Sequence, residues 1–241
     1  MTKSLGLSGM RKGRAWALGG LLALAGIGNT IAEENPHDPY EGFNRSMFAV
    51  HEVIDKYAAK PVAQVYDNAV PLPVKAGVGN FFGNVGELWV GVNSALQGKF
   101  SDAGVDLGRL LINSTVGIFG LFDVASELGL ERHDEDFGQT MAVWGAGSGG
   151  YLFWPVIGSR TVRDTLGWGV DIMGDPVGYV DSIPVRNSLR GLRIVDIRAS
   201  LLPADKVVEE AALDKYAYIR DAYLQRRRNQ IFDGRPPRLD D

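Results

Sequence analysis

The residues that could do chemistry are few. Gly145-Ala146-Gly147-Ser148-Gly149-Gly150 carries the G-x-G-x-x-G spacing that lets a backbone approach a pyrophosphate. A dinucleotide site also needs a strand before that loop and a helix behind it, and Pro155 works against the helix. Ser148 stands where a hydrolase elbow would hold its nucleophile, with Ala146 in place of the first glycine. That fold places its acid and then its histidine after the serine, whereas His37, His51 and His133 all precede it. Glu131, His133, Asp134, Glu135 and Asp136 could attract a cation, but a solvated charged turn is the better reading of them. Glu127 and Glu131 sit at helical spacing, with nothing to make them an acid/base pair. The chain has no cysteine, which excludes disulfides, thiolate nucleophiles and zinc-thiolate sites. With no nucleophile, base or metal cluster assembled, a noncatalytic role without a cofactor is expected.

The elements that must position any site begin after a leader. Lys3, Arg11, Lys12 and Arg14 precede an apolar run, Ala15 to Ile27, and Thr30-Ile31-Ala32 offers small residues for cleavage. This is the layout of a secretory signal, expected over residues 1–32. The run is short of the ~20 apolar residues that span a bilayer. Cleavage after Ala32 removes four positive charges and no acid, taking the net charge from −4 to −8. An acidic chain is a poor nucleic-acid binder, and electrostatic adhesion to anionic lipid is disfavoured too. Membrane contact must then rest on apolar burial.

Residues 33–37 read as a linker, and the remaining length suits one domain, 38–232, with a flexible tail at 233–241. Phe43, Met47, Val50, Ile54 and Tyr57 recur at helical spacing, and Pro61 should end that helix. Val70-Pro71-Leu72-Pro73 is an extended break. Ser101 to Asn113 reads as a helix with Asp102, Asp106 and Arg109 on its solvent side. Phe137 to Ser159 is free of charge and long enough to span a membrane, but its glycines and Pro155 would break such a helix. Backbone of that kind survives at membrane depth only against protein or a water-filled cavity. Val185, Leu189, Leu192 and Val195 form an apolar helical face, and Asp205 is a candidate cap for a long final helix ending in Arg226-Arg227-Arg228.

A resemblance now enters. Asp38-Pro39-Tyr40-Glu41-Gly42-Phe43-Asn44-Arg45 resembles the D-P-x-E-x-x-N-R opening of MlaA/VacJ proteins, with Asp38, Pro39, Glu41, Asn44 and Arg45 as the matching positions. Further similar blocks follow in order, among them Asn80-Phe81-Phe82-Gly83-Asn84, Asn93-Ser94-Ala95-Leu96-Gln97-Gly98, Arg109 to Thr115, Asp136 to Thr140, and Arg220 to Arg226. They cover about residues 38–228. The resemblance implies a mainly α, single ring-like helical domain of amphipathic helices and Gly-rich loops around a polar channel. It implies an outer-membrane protein on the periplasmic side that removes phospholipids from the outer leaflet to maintain lipid asymmetry. Trimeric porins and a periplasmic lipid carrier are the implied partners. A structural adaptor that docks on porins without transporting is the alternative.

On this reading the membrane-facing candidates are Leu88, Trp89, Val90, Ile118, Phe119, Leu121, Phe122, Tyr151, Phe153 and Trp154, though each could equally pack a core. Gly145, Gly147, Gly149 and Gly150 are gate candidates, or simply a tight turn. Leu24-Ala25-Gly26 resembles the tripeptide before a lipoprotein's acylated cysteine, but Ile27 occupies the cysteine's place. The expectation is an unlipidated protein held by its own apolar surface.

Overall fold

The computed structural model describes residues 36–238. The expected signal segment 1–32 lies outside them. Of the expected linker, Pro36 and His37 are described; they form a turn, and the His37 carbonyl accepts the Tyr151 N–H at 3.3 Å.

The chain is mainly helical, with a single antiparallel hairpin among the described residues. Helix α1 (Glu41–Ile54) continues through a π-helical turn, Asp55–Ala59, into α2 (Lys60–Ala69). Pro61 therefore does not end the helix as expected. It sits in the first turn of α2, just after the widened turn in which the Lys60 N–H reaches the Asp55 carbonyl. That widening relieves the clash a proline ring makes with the preceding turn. The helix stops at Val70, whose extended backbone precedes Pro71. Helix α3 (Leu72–Leu96) follows, then α4 (Phe100–Thr115), the short α5 (Val124–Glu127) and α6 (Phe137–Val143).

Strands β1 (Tyr151–Trp154) and β2 (Gly158–Thr161) pair in the register Tyr151↔Thr161 to Trp154↔Gly158. The uncharged stretch thus resolves into a short helix and a hairpin. Thr161 caps α7 (Val162–Gly174) by accepting the Asp164 N–H. Then come α8 (Ile183–Ser200), α9 (Leu202–Ala211) and α10 (Lys215–Ile231). Asp205 lies inside α9; the cap of the final helix is Asp214, which accepts the Ala217 N–H. Ala212 is extended, and this break divides what the sequence suggested was one long helix.

The distribution of side chains is inverted. Among the described residues, nine buried hydrophobic side chains face sixteen buried polar or charged ones. The main apolar cluster is small: Tyr151, Phe153 and Tyr216, with Met47, Phe48, Ile219, Tyr223 and Leu224 against it. Helix α4 shows the inversion most clearly. Its inward face is Ala103, Asp106, Arg109 and Asn113, and its outward face includes Leu107 and Leu111. The expectation that Asp106 and Arg109 face solvent is overturned, because their partners lie inside. Along α3, Asn84, Glu87, Gly91 and Ser94 point inward while Leu88, Val92 and Leu96 point outward. Gly91 lets α3 and α4 approach: a Cβ there would meet Asp106 Cβ at 3.4 Å and the Ala103 carbonyl at 3.5 Å.

Arg109 ties this interior together. Its Nε donates to Glu87 Oε1 at 3.0 Å, its Nη1 to the Leu130 carbonyl at 2.6 Å and to Ser126 Oγ at 3.0 Å, and its Nη2 to both Asp123 oxygens at 3.0 and 3.1 Å. Burial raises the Glu87 pKa, with the Arg109 contact opposing it. Burial also acts to raise Asp123, but hydrogen bonds from Ser126, Asn113 and Arg109 outweigh it and hold the carboxyl at about 2. Removing one partner of a buried ion pair typically costs about 3–5 kcal/mol. Arg109→Ala should destabilise the fold by about that amount in denaturant melts of the detergent-solubilised protein. A loss below about 1 kcal/mol would contradict the role given to the guanidinium.

Candidate functional site

The polar interior opens into cavities on one side of α3. A cavity of about 290 Å³ lies between α3, α8 and the turn at 132–134, and Glu87, Arg132, His133, Arg193 and Asp196 border it. A wider basin of about 1080 Å³ lies between α2, α3, α8 and α9, with Lys60, Tyr66, Lys75 and Asp205 in its walls. Gly79, Asp196 and Ser200 border both, so the two adjoin as one polar opening. A third cavity of about 380 Å³, bordered by Glu52, Asp55 and Lys215, shares Lys60 and Glu209 with the basin.

Fixed ion pairs hold the walls. Arg198 donates to Asp55 at 2.6 and 2.8 Å and to Asp205 at 2.7 Å, joining α8 to the π-turn and to α9. Tyr66 OH donates to Asp196 Oδ1 at 2.8 Å, and burial together with that carboxylate pushes the phenol up to about 12. At the far wall, His133 Nδ1 lies 2.6 Å from Asp106 Oδ1, while Ser94 Oγ donates to Asp106 Oδ2 at 2.9 Å. The charged run 131–136 is solvated at Glu131, Arg132 and Asp134 but held at its other positions. It is anchored by His133 to Asp106, by Glu135 to Gln97 and Lys99, and by Asp136 to Arg227. Arg227 is buried between Asp136 and Asp164, so it serves the interior as well as the helix end.

Outside, apolar side chains cover the surface. Tyr57, Leu72, Phe100, Leu111, Phe119, Met173 and Ile183 are all at least 60% exposed. The turn after α4 is the most concentrated patch, with Val116, Ile118, Phe119, Leu121 and Phe122 exposed. Ile118 and Phe119 hold φ of 52° and 56°, a strained state for a β-branched and an aromatic residue. The turn is locked beneath: a Cβ on buried Gly117 would strike the Phe122 and Asn113 carbonyls at 2.2 and 2.6 Å. By contrast, α10 exposes Asp221, Gln225, Arg226 and Asn229. No helix of the described residues is long and apolar enough to cross a membrane, and among them no group of acids and histidines could hold a metal ion.

The expected site residues divide. Leu88, Ile118, Phe119, Leu121 and Phe122 are exposed. Tyr151 and Phe153 are not: they are fully buried on the inner face of β1, Phe153 edge-on to Phe48 at 5.2 Å. Their membrane-facing assignment is corrected; β-strand alternation turns them inward. Trp154 is half-buried and donates to Thr165, Trp89 is half-buried and donates to Asp171, and Val90 borders the smaller cavity. None of Gly145, Gly147, Gly149 and Gly150 borders the opening. Their stretch is pinned to α7, with the Ser148 carbonyl accepting the Arg163 N–H and the Gly150 carbonyl the Val162 N–H. Gly150 packs on Pro39, whose Cγ would lie 2.7 Å from a Cβ.

The opening signature is a clasp. Asp38 accepts from Asn44, Tyr216 and Arg220, at 2.8, 2.5 and 3.1 Å. Asn44 also donates to the Tyr151 carbonyl and accepts the Phe153 N–H, both at 2.9 Å. Arg45 bridges Glu41 and Asp214 and lies over the Tyr216 ring. These residues fasten α1 to the hairpin and to α10.

The family model described as MlaA lipoprotein matches residues 36–230. The chain belongs to that family. The MlaA proteins of Shigella flexneri and Escherichia coli, each described as an intermembrane phospholipid transport system lipoprotein, are 34% identical over 216 residues, 88% of this chain and 85% of theirs. An uncharacterised Rickettsia bellii protein is 36% identical over 81% of this chain and 77% of its own. A chain solved in work on the structural basis for maintenance of bacterial outer membrane lipid asymmetry superposes with TM-score 0.70 at 32% identity, covering 82% of this chain and 99% of that one. In this MlaA-family chain the residues missed in the sequence were Gly79, Arg132, Arg193 and Asp196, which line the opening.

The His133–Asp106 pair gives a pH signature. Burial acts to lower the His133 pKa, but Asp106, Asp102 and Glu131 outweigh it, and the net shift is upward. A raised folded pKa contributes stability below the unfolded value of about 6.5 and loses it as pH rises through the folded value. His51, with a pKa lowered by burial, titrates in the opposite sense. The difference in stability between wild type and His133→Gln should therefore be largest below about pH 6 and shrink as pH rises. A difference that grows with pH would contradict the pairing.

Proposed function

We propose that the chain carries phospholipids out of the outer leaflet of the outer membrane through the polar opening beside α3, with headgroups passing inside the fold and acyl chains outside it. The function is intermembrane phospholipid transport that maintains lipid asymmetry. The observation that carries the mechanism is the inverted fold. A charged headgroup loses its hydration in hydrocarbon at high cost. Here polar groups line an interior opening while exposed leucine, phenylalanine and isoleucine match the acyl region.

Attachment follows from the same surface. The 241 residues hold no cysteine, so within them the apolar exterior supplies the hold on the outer membrane. The polar outer face of α10, with Asp221, Gln225, Arg226 and Asn229 exposed, fits the aqueous, periplasmic side, where a soluble lipid carrier would collect cargo. Trimeric porins remain the proposed membrane partner. Carriage of this kind needs no covalent step.

Gly79 tests the route. A Cβ there would meet only Asp196 Oδ2, at 3.7 Å, so Gly79→Ala should be tolerated. Gly79→Trp should fill the junction. In cells lacking their own copy, wild type and Gly79→Ala should restore low outer-leaflet phospholipid, and a folded, outer-membrane-located Gly79→Trp should not. Full restoration by Gly79→Trp would favour a non-transporting adaptor.

A further inference from the structure

In the opening, Asp196 and Arg132 lack the close ion-pair partners that neutralise most of its charged groups. Asp196, half-buried on α8 where the two cavities adjoin, receives the Tyr66 hydroxyl on Oδ1. No basic side chain among the described residues lies within 4.0 Å of it. Of the lysines in the basin, Lys75 is committed to Asp67 and Lys60 to Asp205 and Glu209, and Lys206 forms no ion pair with Asp196. Arg132, on the turn that forms the opposite wall, is half-exposed, and its one ion-pair contact is a long 3.8 Å approach to Glu87, which Arg109 already engages. Arg132 also lies over Gly83, where a Cβ would crowd its guanidinium at 2.6 Å. The absence of a side chain at Gly83 leaves room for that guanidinium beside the cavity.

Asp196 and Arg132 border the same cavity of about 290 Å³, at the small end of ordinary small-ligand pockets, which start near 300 Å³. Across its lining, Arg132 and Arg193 stand against Glu87, Asp134 and Asp196, with His133 beside them. A lining of both signs does not favour a net anion. It suits a ligand that carries both charges close together. We infer that the cavity selects zwitterionic phospholipid headgroups bearing a primary ammonium, which Asp196 receives while Arg132 meets the phosphate. The ammonium has three donors, and the free lone pairs of Asp196 accept them while Tyr66 holds the carboxylate in place. The guanidinium meets phosphate oxygens with paired N–H donors. Arg193, held at 3.1 Å by Asp175 and lying over the Phe82 ring, adds positive potential on the phosphate side.

This rests on the opening being the lipid path, and the experiment separates the two ideas. The full-length protein is placed in nanodiscs of equal phosphatidylethanolamine and phosphatidylglycerol, extracted, and the retained lipid counted by mass spectrometry. Wild type should retain phosphatidylethanolamine over phosphatidylglycerol by roughly 1.5- to 5-fold, the span expected of a part-exposed ion pair. Asp196→Asn should bring that ratio to about one with the total retained lipid little changed, and Asp196→Glu should restore the preference. Arg132→Gln should lower retention of both lipids together. Circular dichroism of each variant excludes loss of fold as the cause. Equal retention by wild type, or an unchanged ratio in folded Asp196→Asn, overturns the headgroup selection and leaves the lipid path standing. Retention that Gly79→Trp does not reduce overturns the path itself.

Discussion

A guanidinium with 1% of its surface exposed stands at the centre of this protein. Arg109 cannot shed its charge, and an uncompensated charge in a dry interior is far too costly to keep. The rest of the fold is arranged to meet that requirement. Glu87 comes from α3, Asp123 and Ser126 from the turn into α5, and the Leu130 carbonyl from the loop beyond. Asn113, one turn further along α4, donates to Asp123 and accepts the Ala125 N–H, so the strained turn between them is fixed at both ends. That turn is the one that thrusts Ile118, Phe119 and Phe122 outward.

The same constraint repeats around the molecule. Asp38 with Arg220, Asp164 with Arg227, and Asp55 with Arg198 join elements that are distant in sequence. Interior polar groups satisfied in this way give geometry rather than large net stability. They leave the apolar side chains on the outside, where water would penalise them and hydrocarbon would not. A fold of this kind needs no spanning helix. Helix α3 is about 37 Å long at 1.5 Å per residue, enough to cross a bilayer, yet Asn84 and Ser94 bond to α4 while Lys75, Gly79 and Glu87 make it a wall of the opening instead.

Much of this was legible in the sequence, and the helix faces that were not share one physical cause. The helical class and the refusal of 137–159 to form a spanning helix follow from residues and spacing, and the family from its ordered motif blocks; the expected break at Val70–Pro73 is confined to Val70 and Pro71, since Leu72 and Pro73 open α3. The helix faces do not, because the usual assignment puts apolar stripes inside. On α4 that rule sent Asp106 and Arg109 to solvent, and they are buried. On α8 it made Val185 and Leu192 core-facing, and they are exposed, while the half-buried face carries Arg193 and Asp196. The set at positions 84, 87, 91 and 94, polar but for Gly91, and the polar set at 106, 109 and 113 each recur at helical spacing, and that periodicity was the signal that could have marked the interior. Tyr151 and Phe153 were misplaced for a different reason: no hairpin was foreseen, so their period-two alternation went unread.

The absence of native cysteine makes the inverted architecture directly measurable. Single cysteines at Leu111 on α4, Phe119 in the turn after it and Met173 on α7, all exposed, and at Ser200, in the opening, can each carry an environment-sensitive fluorophore in reconstituted membranes. Brominated acyl chains should quench the first three strongly and leave the fourth unquenched, and a water-soluble quencher should act in the reverse order. Water-soluble quenching at Leu111, Phe119 and Met173 equal to that at Ser200 would contradict an apolar exterior seated in lipid around a polar interior.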